Sequence, residues 1–250
     1  MEILIKETRP LCLYFLSGYL AANESDSDNF PPDQYPDYLD RYEELFRSSL
    51  ASLRLIQKDL KAIPEFDFNS GNANNLESGI AVLRAITALR DMGFGQIKIV
   101  KPKKRSLGAD LYAEKNRERV CFEVKTITKK SKGRKGCFLE EQIFEKIKDC
   151  WQRARSQLAA TPEQLRCTVR IMICVVNWFT HSVCLDQSSY QGIVNRLAAE
   201  DGGGDISGID GVLFILSTGC WYFFVNERGR SIDNIQQANP PHGKDSSHQN

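Results

Sequence analysis

The sequence predicts an α/β domain built on a mixed sheet with helices on its faces. Apolar residues recur at three- and four-residue spacing, typical of helices, over about 75–92 and 139–158. Between and after these segments lie short runs rich in Val, Ile and Phe, typical of strands. From residue 75 onward the predicted order is helix, three strands, helix and strand, which favours a mixed sheet rather than an all-parallel one.

The chain is expected to divide into three parts. Residues 1–70 are predicted to be an N-terminal helical extension, residues 71–236 the core, and residues 237–250 a disordered polar tail. In the extension, three prolines and six acidic residues over 23–40 predict a loop, and apolar spacing over 38–62 predicts a helix.

The elements of the core follow from local signals. Asn75 is the expected N-cap of the first helix, which runs to about Met92 and stops at Gly93. A turn is expected at Lys115-Asn116, between the second and third strands. The predicted strands cover about 96–100, 109–113, 119–127, 167–178, 211–216 and 221–225. Further helices are expected over 139–158 and 187–199.

Composition excludes several classes of protein. Hydrophobic residues make up 42% of the chain and charged residues 26%, as in ordinary globular domains. No run of about 18 apolar residues occurs, so no transmembrane helix is expected. The eight cysteines form no Cys-x-x-Cys pair and several lie in apolar runs, which predicts reduced, buried thiols in a cytoplasmic protein.

Charge is distributed unevenly along a chain whose net charge is only +1. Residues 98–135 hold fourteen Lys and Arg against four Asp and Glu, a net charge of +10. Most of the excess lies in two loops, as expected of a surface that binds a phosphate backbone. The candidate nucleic-acid-binding residues are Lys101, Lys103, Lys104, Arg105, Lys129, Lys130, Lys132, Arg134 and Lys135.

Two acidic residues and a lysine are expected to meet within this basic segment. Side chains alternate along a strand, so Glu123 and Lys125 share one face of the predicted strand 119–127. Asp110 lies on the preceding strand, thirteen residues earlier. If the two strands form a hairpin, Asp110 comes close to Glu123.

Adjacent carboxylates suit a divalent cation. Burying two close carboxylates without compensation is unfavourable, and Mg²⁺ prefers oxygen ligands while keeping waters and substrate phosphate in its shell. A lysine beside such an ion can orient an attacking water or offset charge on a phosphoryl group. Glu77, expected in the first turn of the preceding helix, could face the same edge of the sheet.

This arrangement resembles the PD-(D/E)XK nuclease superfamily, which has the restriction-endonuclease-like fold. The resemblance covers roughly residues 75–178 and is carried by Glu77, Asp110 and Glu123-Val124-Lys125. It implies metal-dependent phosphodiester hydrolysis with Mg²⁺ or Mn²⁺. Asp110, Glu123 and the carbonyl of Val124 would be metal ligands, Lys125 the catalytic lysine, and Glu77 an auxiliary contact.

The sequence departs from the family pattern in two places. Ala109 precedes Asp110 where proline is usual, and the following helix lacks the Gln-x-x-x-Tyr pattern of some exonuclease branches. Gln152 is the residue of that helix considered for a supporting role.

Other interpretations stay open at this point. The fold and its basic loops could serve a nucleic-acid-binding module that does not cleave, or the charged strand could be a solvated or protein-binding face. Under the nuclease interpretation DNA is favoured over RNA as the partner, and a homodimer is compatible with cutting both strands.

Overall fold

The computed structural model describes eight stretches of the chain, which form an α/β domain. They are residues 35–53, 73–100, 108–127, 140–161, 163–176, 185–201, 208–216 and 219–232. The helices are α1 (Tyr35–Leu53), α2 (Ala73–Asp91), α3 (Glu140–Ala159), α4 (Gln187–Glu200) and α5 (Glu227–Arg230). The strands are β1 (Gly95–Ile99), β2 (Leu111–Lys115), β3 (Glu118–Ile127), β4 (Val169–Val176), β5 (Gly211–Ile215) and β6 (Cys220–Phe224).

The six strands form one mixed sheet in the order β1-β2-β3-β4-β5-β6. The pairs β1–β2, β2–β3 and β5–β6 are antiparallel, whereas β3–β4 and β4–β5 are parallel. The parallel connections contain α3 and α4, as parallel pairing requires a crossover. The predicted order of helix, three strands, helix and strand is confirmed, and so is the mixed character of the sheet.

Two hydrophobic cores cover the two faces of the sheet. Buried residues of α1 and α2 pack on one face, which includes Val120, Phe122 and Val124 of β3. Buried residues of α3 and α4 pack on the other, which includes Cys121 and Ile127. The predicted alternation along β3 is therefore confirmed. None of the helices described is long and apolar enough to cross a membrane.

Two helix starts differ from the predictions. Helix α2 begins at Ala73, so Asn75 lies inside it and is not its N-cap. Helix α1 begins at Tyr35, so Pro36 occupies its first turn, where proline's fixed φ and missing N–H are tolerated. Gly93, with φ +79°, ends α2 as predicted. The expectations for residues 1–34, 54–72 and 233–250 lie outside the described part of the chain.

The hairpin of β2 and β3 is shifted relative to its prediction. The turn residues are Asn116 and Arg117, both with positive φ (52° and 69°), as a two-residue type I′ turn requires. Lys115 instead pairs with Glu118 in the ladder. Strand β2 accordingly covers 111–115 rather than 109–113.

One pair of cysteines corrects the expectation of uniformly reduced thiols. Cys121 on β3 and Cys167, just before β4, are joined in a disulfide with 5.8 Å between their Cα atoms. The ladder of β3 and β4 pairs Cys121 with Arg170, three residues beyond Cys167, and the Cα separation lies within the range of disulfides. Cys150 and Cys174 are free and buried, as expected.

Candidate functional site

The candidate site lies where β3 extends beyond the end of its pairing with β2. The β2–β3 ladder ends at the pair Leu111–Phe122, so the next position of the register sets Asp110 opposite Glu123. Beyond this point β3 continues to Ile127, paired on its other side with β4. The site therefore occupies the carboxyl end of β3, where the sheet changes from antiparallel to parallel pairing. Ligand sites of α/β sheets favour such ends.

Backbone and side-chain hydrogen bonds hold Asp110 at this end. Its N–H donates to the carbonyl of Phe122 (2.9 Å), and its carbonyl accepts from the N–H of Val100 (2.9 Å). Its Oδ2 accepts from the N–H of Val124 (2.8 Å). The carboxylate thus replaces the next rung of the ladder, which explains why β2 begins only at Leu111.

Glu123, Lys125 and Gln157 form a chain of contacts above the strand. The Lys125 Nζ donates to Glu123 Oε1 (2.6 Å) and to Gln157 Oε1 (2.5 Å). The side chain of Glu123 is 1% exposed and that of Lys125 is 14% exposed. Burial to this degree contradicts the interpretation of the strand as a solvated charged face.

The carboxylate of Asp110 disfavours ionisation of Glu123, whereas a hydrogen bond from Glu123 favours ionisation of Asp110. Burial, followed by the charge of Asp110, raises the pKa of Glu123 to about 8. Burial also raises the pKa of Asp110, although the Val124 N–H and the charge of Lys125 oppose the rise. Since two adjacent carboxylates repel each other at neutral pH, one proton or one cation is needed to balance them.

The donor set at this position suits a hard divalent cation. Glu123 Oε2 is buried and accepts no hydrogen bond from the residues that the structure describes, while a second carboxyl group, that of Asp110, lies beside it. Along a strand, alternate peptide groups point the same way, so the Val124 carbonyl shares the edge that faces Asp110. Mg²⁺ is commonly held by one or two carboxylates together with substrate and water oxygens. Within the described stretches, no group of three or more His, Cys, Asp or Glu side chains gathers as a metal site.

Glu77 is placed less directly than the other predicted residues. It is the fifth residue of α2, and thus lies beyond the first turn in which it was expected. Helix α2 packs on the face of the sheet that carries Val124, opposite the face that carries Glu123. The side chain of Glu77 lies outside the described part, so its contact with the site stays a prediction.

The nine basic candidates also lie outside the described residues, but the residues on either side of the first basic segment and before the second are described. The segment 101–107 leaves the sheet after Val100 and returns at Gly108, two residues before Asp110. The segment 128–139 leaves after Ile127, two residues beyond Lys125. Both basic segments are therefore attached at the sheet end that carries the candidate site.

Gln157 is the site residue that the sequence interpretation missed. Gln152 was considered instead, but it is exposed. Five helical residues separate the two, a rotation of roughly 140° around the axis, so the two residues cannot share a face. Gln157 is followed at i+4 by Thr161, but Gln152 is followed at the same spacing by Ser156, so a search for that pattern would not have distinguished the two.

Comparison with known proteins adds no relative to this description. No protein-family model matches the chain, and no curated protein or solved structure matches it either. Function is therefore inferred from the residues at the end of β3 and from the charge around them.

Proposed function

We propose that this protein is a Mg²⁺-dependent nuclease with a restriction-endonuclease-like core, hydrolysing phosphodiester bonds of nucleic acid. The observation that carries the proposal is the adjacent carboxyl pair of half-buried Asp110 and buried Glu123, with Lys125 in direct contact with Glu123. The mixed sheet and the predicted order of elements are compatible with that core. The resemblance favours DNA over RNA as substrate.

Each residue of the site has a role in this proposal. Asp110, Glu123 and the Val124 carbonyl would hold the ion, with Glu77 as an auxiliary ligand. A bound Mg²⁺ supplies a water of lowered pKa and positive charge near the phosphate. Lys125 orients the attacking water and offsets negative charge on the phosphoryl group, while Gln157 holds the Lys125 ammonium toward the carboxylates.

The charge around the site supports nucleic acid as the substrate. The site itself contains two carboxylates, which alone would repel a phosphate backbone. Nine Lys and Arg occur in the two segments whose described ends flank the site, and the proposal takes their charge to offset the two carboxylates. Binding that depends on these residues should weaken steeply as salt rises, because phosphate contacts release counterions.

The direct test is cleavage by the purified full-length chain. Duplex DNA, single-stranded DNA and RNA are incubated with Mg²⁺ or Mn²⁺, and with EDTA as the metal-free control. We expect cleavage that EDTA, Asp110→Ala and Lys125→Ala each abolish. Asp149→Ala and Lys148→Ala are matched controls, since they remove the same residue types from surface ion pairs of α3.

One observation favours a second candidate function, that of a non-catalytic nucleic-acid-binding module. Lys125 is engaged by both Glu123 and Gln157, as in a structural ion pair that stabilises a non-catalytic fold. If no substrate is cut while salt-sensitive binding persists in wild type and both variants, the protein is a nucleic-acid-binding module. Absence of both cleavage and salt-sensitive binding would favour a protein-interaction module.

A further inference from the structure

The hydroxyl of Thr161 connects helix α3 to the strand that carries Asp110. Thr161 lies two residues beyond the end of α3. Its Oγ1 accepts a hydrogen bond from the N–H of Ala109 (3.1 Å) and donates to the carbonyl of Gln157 (3.4 Å). Ala109 is 3% exposed and immediately precedes Asp110. One side chain thus contacts the backbone of two elements that contribute to the site.

Together with the site contacts, these bonds close a ring. Asp110 and Glu123 interact through their carboxyl groups, and Lys125 links Glu123 to the side chain of Gln157. The backbone of Gln157 then leads through Thr161 back to the residue before Asp110. In order around the ring the members are Asp110, Glu123, Lys125, Gln157, Thr161 and Ala109.

The Ala109 amide needs this acceptor for a physical reason. It is a buried N–H just before β2 begins, and a buried amide without a partner is unfavourable. A proline at this position would carry no N–H and would need no acceptor. With alanine there, loss of the Thr161 hydroxyl would leave the amide unpaired one residue from the Asp110 carboxylate.

We propose that Thr161 is a positioning residue, which binds the Ala109 amide and thereby keeps the Asp110 carboxylate against the Val124 N–H and beside Glu123. The effect on metal binding rests on the proposed function. The effect on Asp110 itself does not, because the Val124 N–H reports on that carboxylate without metal or substrate.

The test compares Thr161→Val, which removes the hydroxyl at constant shape, with Thr161→Ser, which keeps it. Hydrogen exchange of individual amides is followed by NMR on the metal-free full-length protein. In Thr161→Val we expect exchange at Ala109 and Val124 to accelerate about tenfold, with wild-type rates at Arg170. Thr161→Ser should restore both rates.

Thr168 provides a matched control at the other end of β3. Its hydroxyl accepts the N–H of Arg119 at 3.1 Å, the same distance as in the pair of Thr161 and Ala109. Thr168→Val should accelerate exchange at Arg119 and leave Val124 unchanged. A change at Val124 as large as that in Thr161→Val would overturn the proposal, because any lost threonine hydroxyl would then suffice.

Metal affinity gives a second readout. Titration with Mn²⁺ should show binding about tenfold weaker in Thr161→Val, and near wild type in Thr161→Ser and Thr168→Val, since residues that orient a ligand contribute this much to affinity. Wild-type exchange at Val124 in Thr161→Val would overturn the positioning role. So would acceleration by the same factor at Arg170, which would indicate a general loss of stability. A wild-type protein that neither cuts nucleic acid nor binds Mn²⁺ would refute the nuclease alone.

Discussion

Two aspartates at opposite ends of the sheet, the half-buried Asp110 and the buried Asp210, share one local structure. Asp110 precedes β2 and Asp210 precedes β5. In each, the backbone N–H and carbonyl bond to two neighbouring segments of the sheet. In each, Oδ2 accepts a backbone N–H from the adjacent strand at 2.8 Å, that of Val124 for Asp110 and that of Arg170 for Asp210.

The second carboxylate oxygen separates the two sites. Oδ1 of Asp210 receives the Asn226 amide (2.8 Å) and the Arg228 guanidinium (3.2 Å). The backbone of Asp210 is closely packed as well, because a Cβ on Gly229 would lie 1.9 Å from the Asp210 carbonyl oxygen. Asp110 instead meets a second acid, Glu123, whose Oε2 receives no donor from the described part of the chain and whose proton, when present, is shared with Asp110.

The comparison distinguishes a carboxylate that only stabilises the fold, that of Asp210, from one whose surroundings suit a further role, that of Asp110. A carboxylate that only holds a strand in place can accept hydrogen bonds from protein donors on both of its oxygens, as that of Asp210 does. The Asp110 site fastens its strand equally well and yet leaves a carboxyl pair only partly compensated. Local arrangements that oppose stability are expected at functional sites. The adjacent acids Asp110 and Glu123, which need either a retained proton or a cation between them, are therefore the observation that best supports the proposed ion.

The largest expected effect concerns activity. Asp110→Asn should lower kcat for metal-dependent cleavage by about 1,000-fold or more, because it removes a metal-binding charge from the reaction centre. Asp210→Asn should keep wild-type kcat per folded molecule. Single-turnover cleavage measured on both variants, with the folded fraction determined by circular dichroism, makes this comparison. Equal losses in the two variants would remove the distinction between the sites.

The same two substitutions should change stability in opposite directions. In Asp110→Asn the amide oxygen can still accept from Val124 while the NH₂ group donates to Glu123, which should stabilise the metal-free protein by about 1 kcal/mol. In Asp210→Asn an NH₂ group would face the donors of Asn226 and Arg228, and the free energy of unfolding should fall by about 3 kcal/mol. Urea unfolding with EDTA present measures both. A loss of stability in both variants would contradict the saturation argument.

The sequence alone predicted one of the two compared sites, the pair of Asp110 and Glu123, but not the site of Asp210 or the contact of Gln157. Strand alternation and the hairpin were enough to bring Asp110 and Glu123 together, because those relations follow from period and register. Asp210 was not singled out, since its partners Asn226 and Arg228 follow β6 and meet it only through tertiary pairing. Gln157 was missed for a similar reason, because its distance to Lys125 depends on the rotation of α3 against the sheet. The turn was misplaced by one residue because Asn116 and Arg117 both adopt positive φ.

A smaller effect is expected in the pH dependence of stability. The pKa of Glu123 is raised from 4.5 to about 8 in the folded protein, so between these values the folded state holds a proton that the unfolded state has released. The free energy of unfolding should therefore fall as pH rises from about 5 to about 8, by up to about 1.4 kcal/mol per pH unit in the absence of metal.

Glu123→Gln isolates this contribution, because glutamine keeps the shape and does not titrate. Urea unfolding of wild type and variant at several pH values should show a flatter profile in Glu123→Gln, and Glu141→Gln, at an exposed ion pair, should keep the wild-type profile. Added Mg²⁺ should stabilise wild type more at pH 8 than at pH 5, since protons compete for the same oxygens. Parallel profiles in all three proteins would show that Glu123 titrates normally.

The smallest expected effect concerns how the basic side chains at the two compared sites, Arg228 and Lys125, are held. Arg228 pairs with the saturated carboxylate of Asp210, whereas Lys125 is held between Glu123 and Gln157 at the proposed active site. Gln157→Ala should lower kcat about tenfold with little change in KM, because Lys125 loses an orienting partner and not its charge. Gln152→Ala, an exposed position on the same helix, is the control. Unchanged kcat in Gln157→Ala would mean that Glu123 alone orients the lysine, and the contact with α3 would then serve packing rather than catalysis.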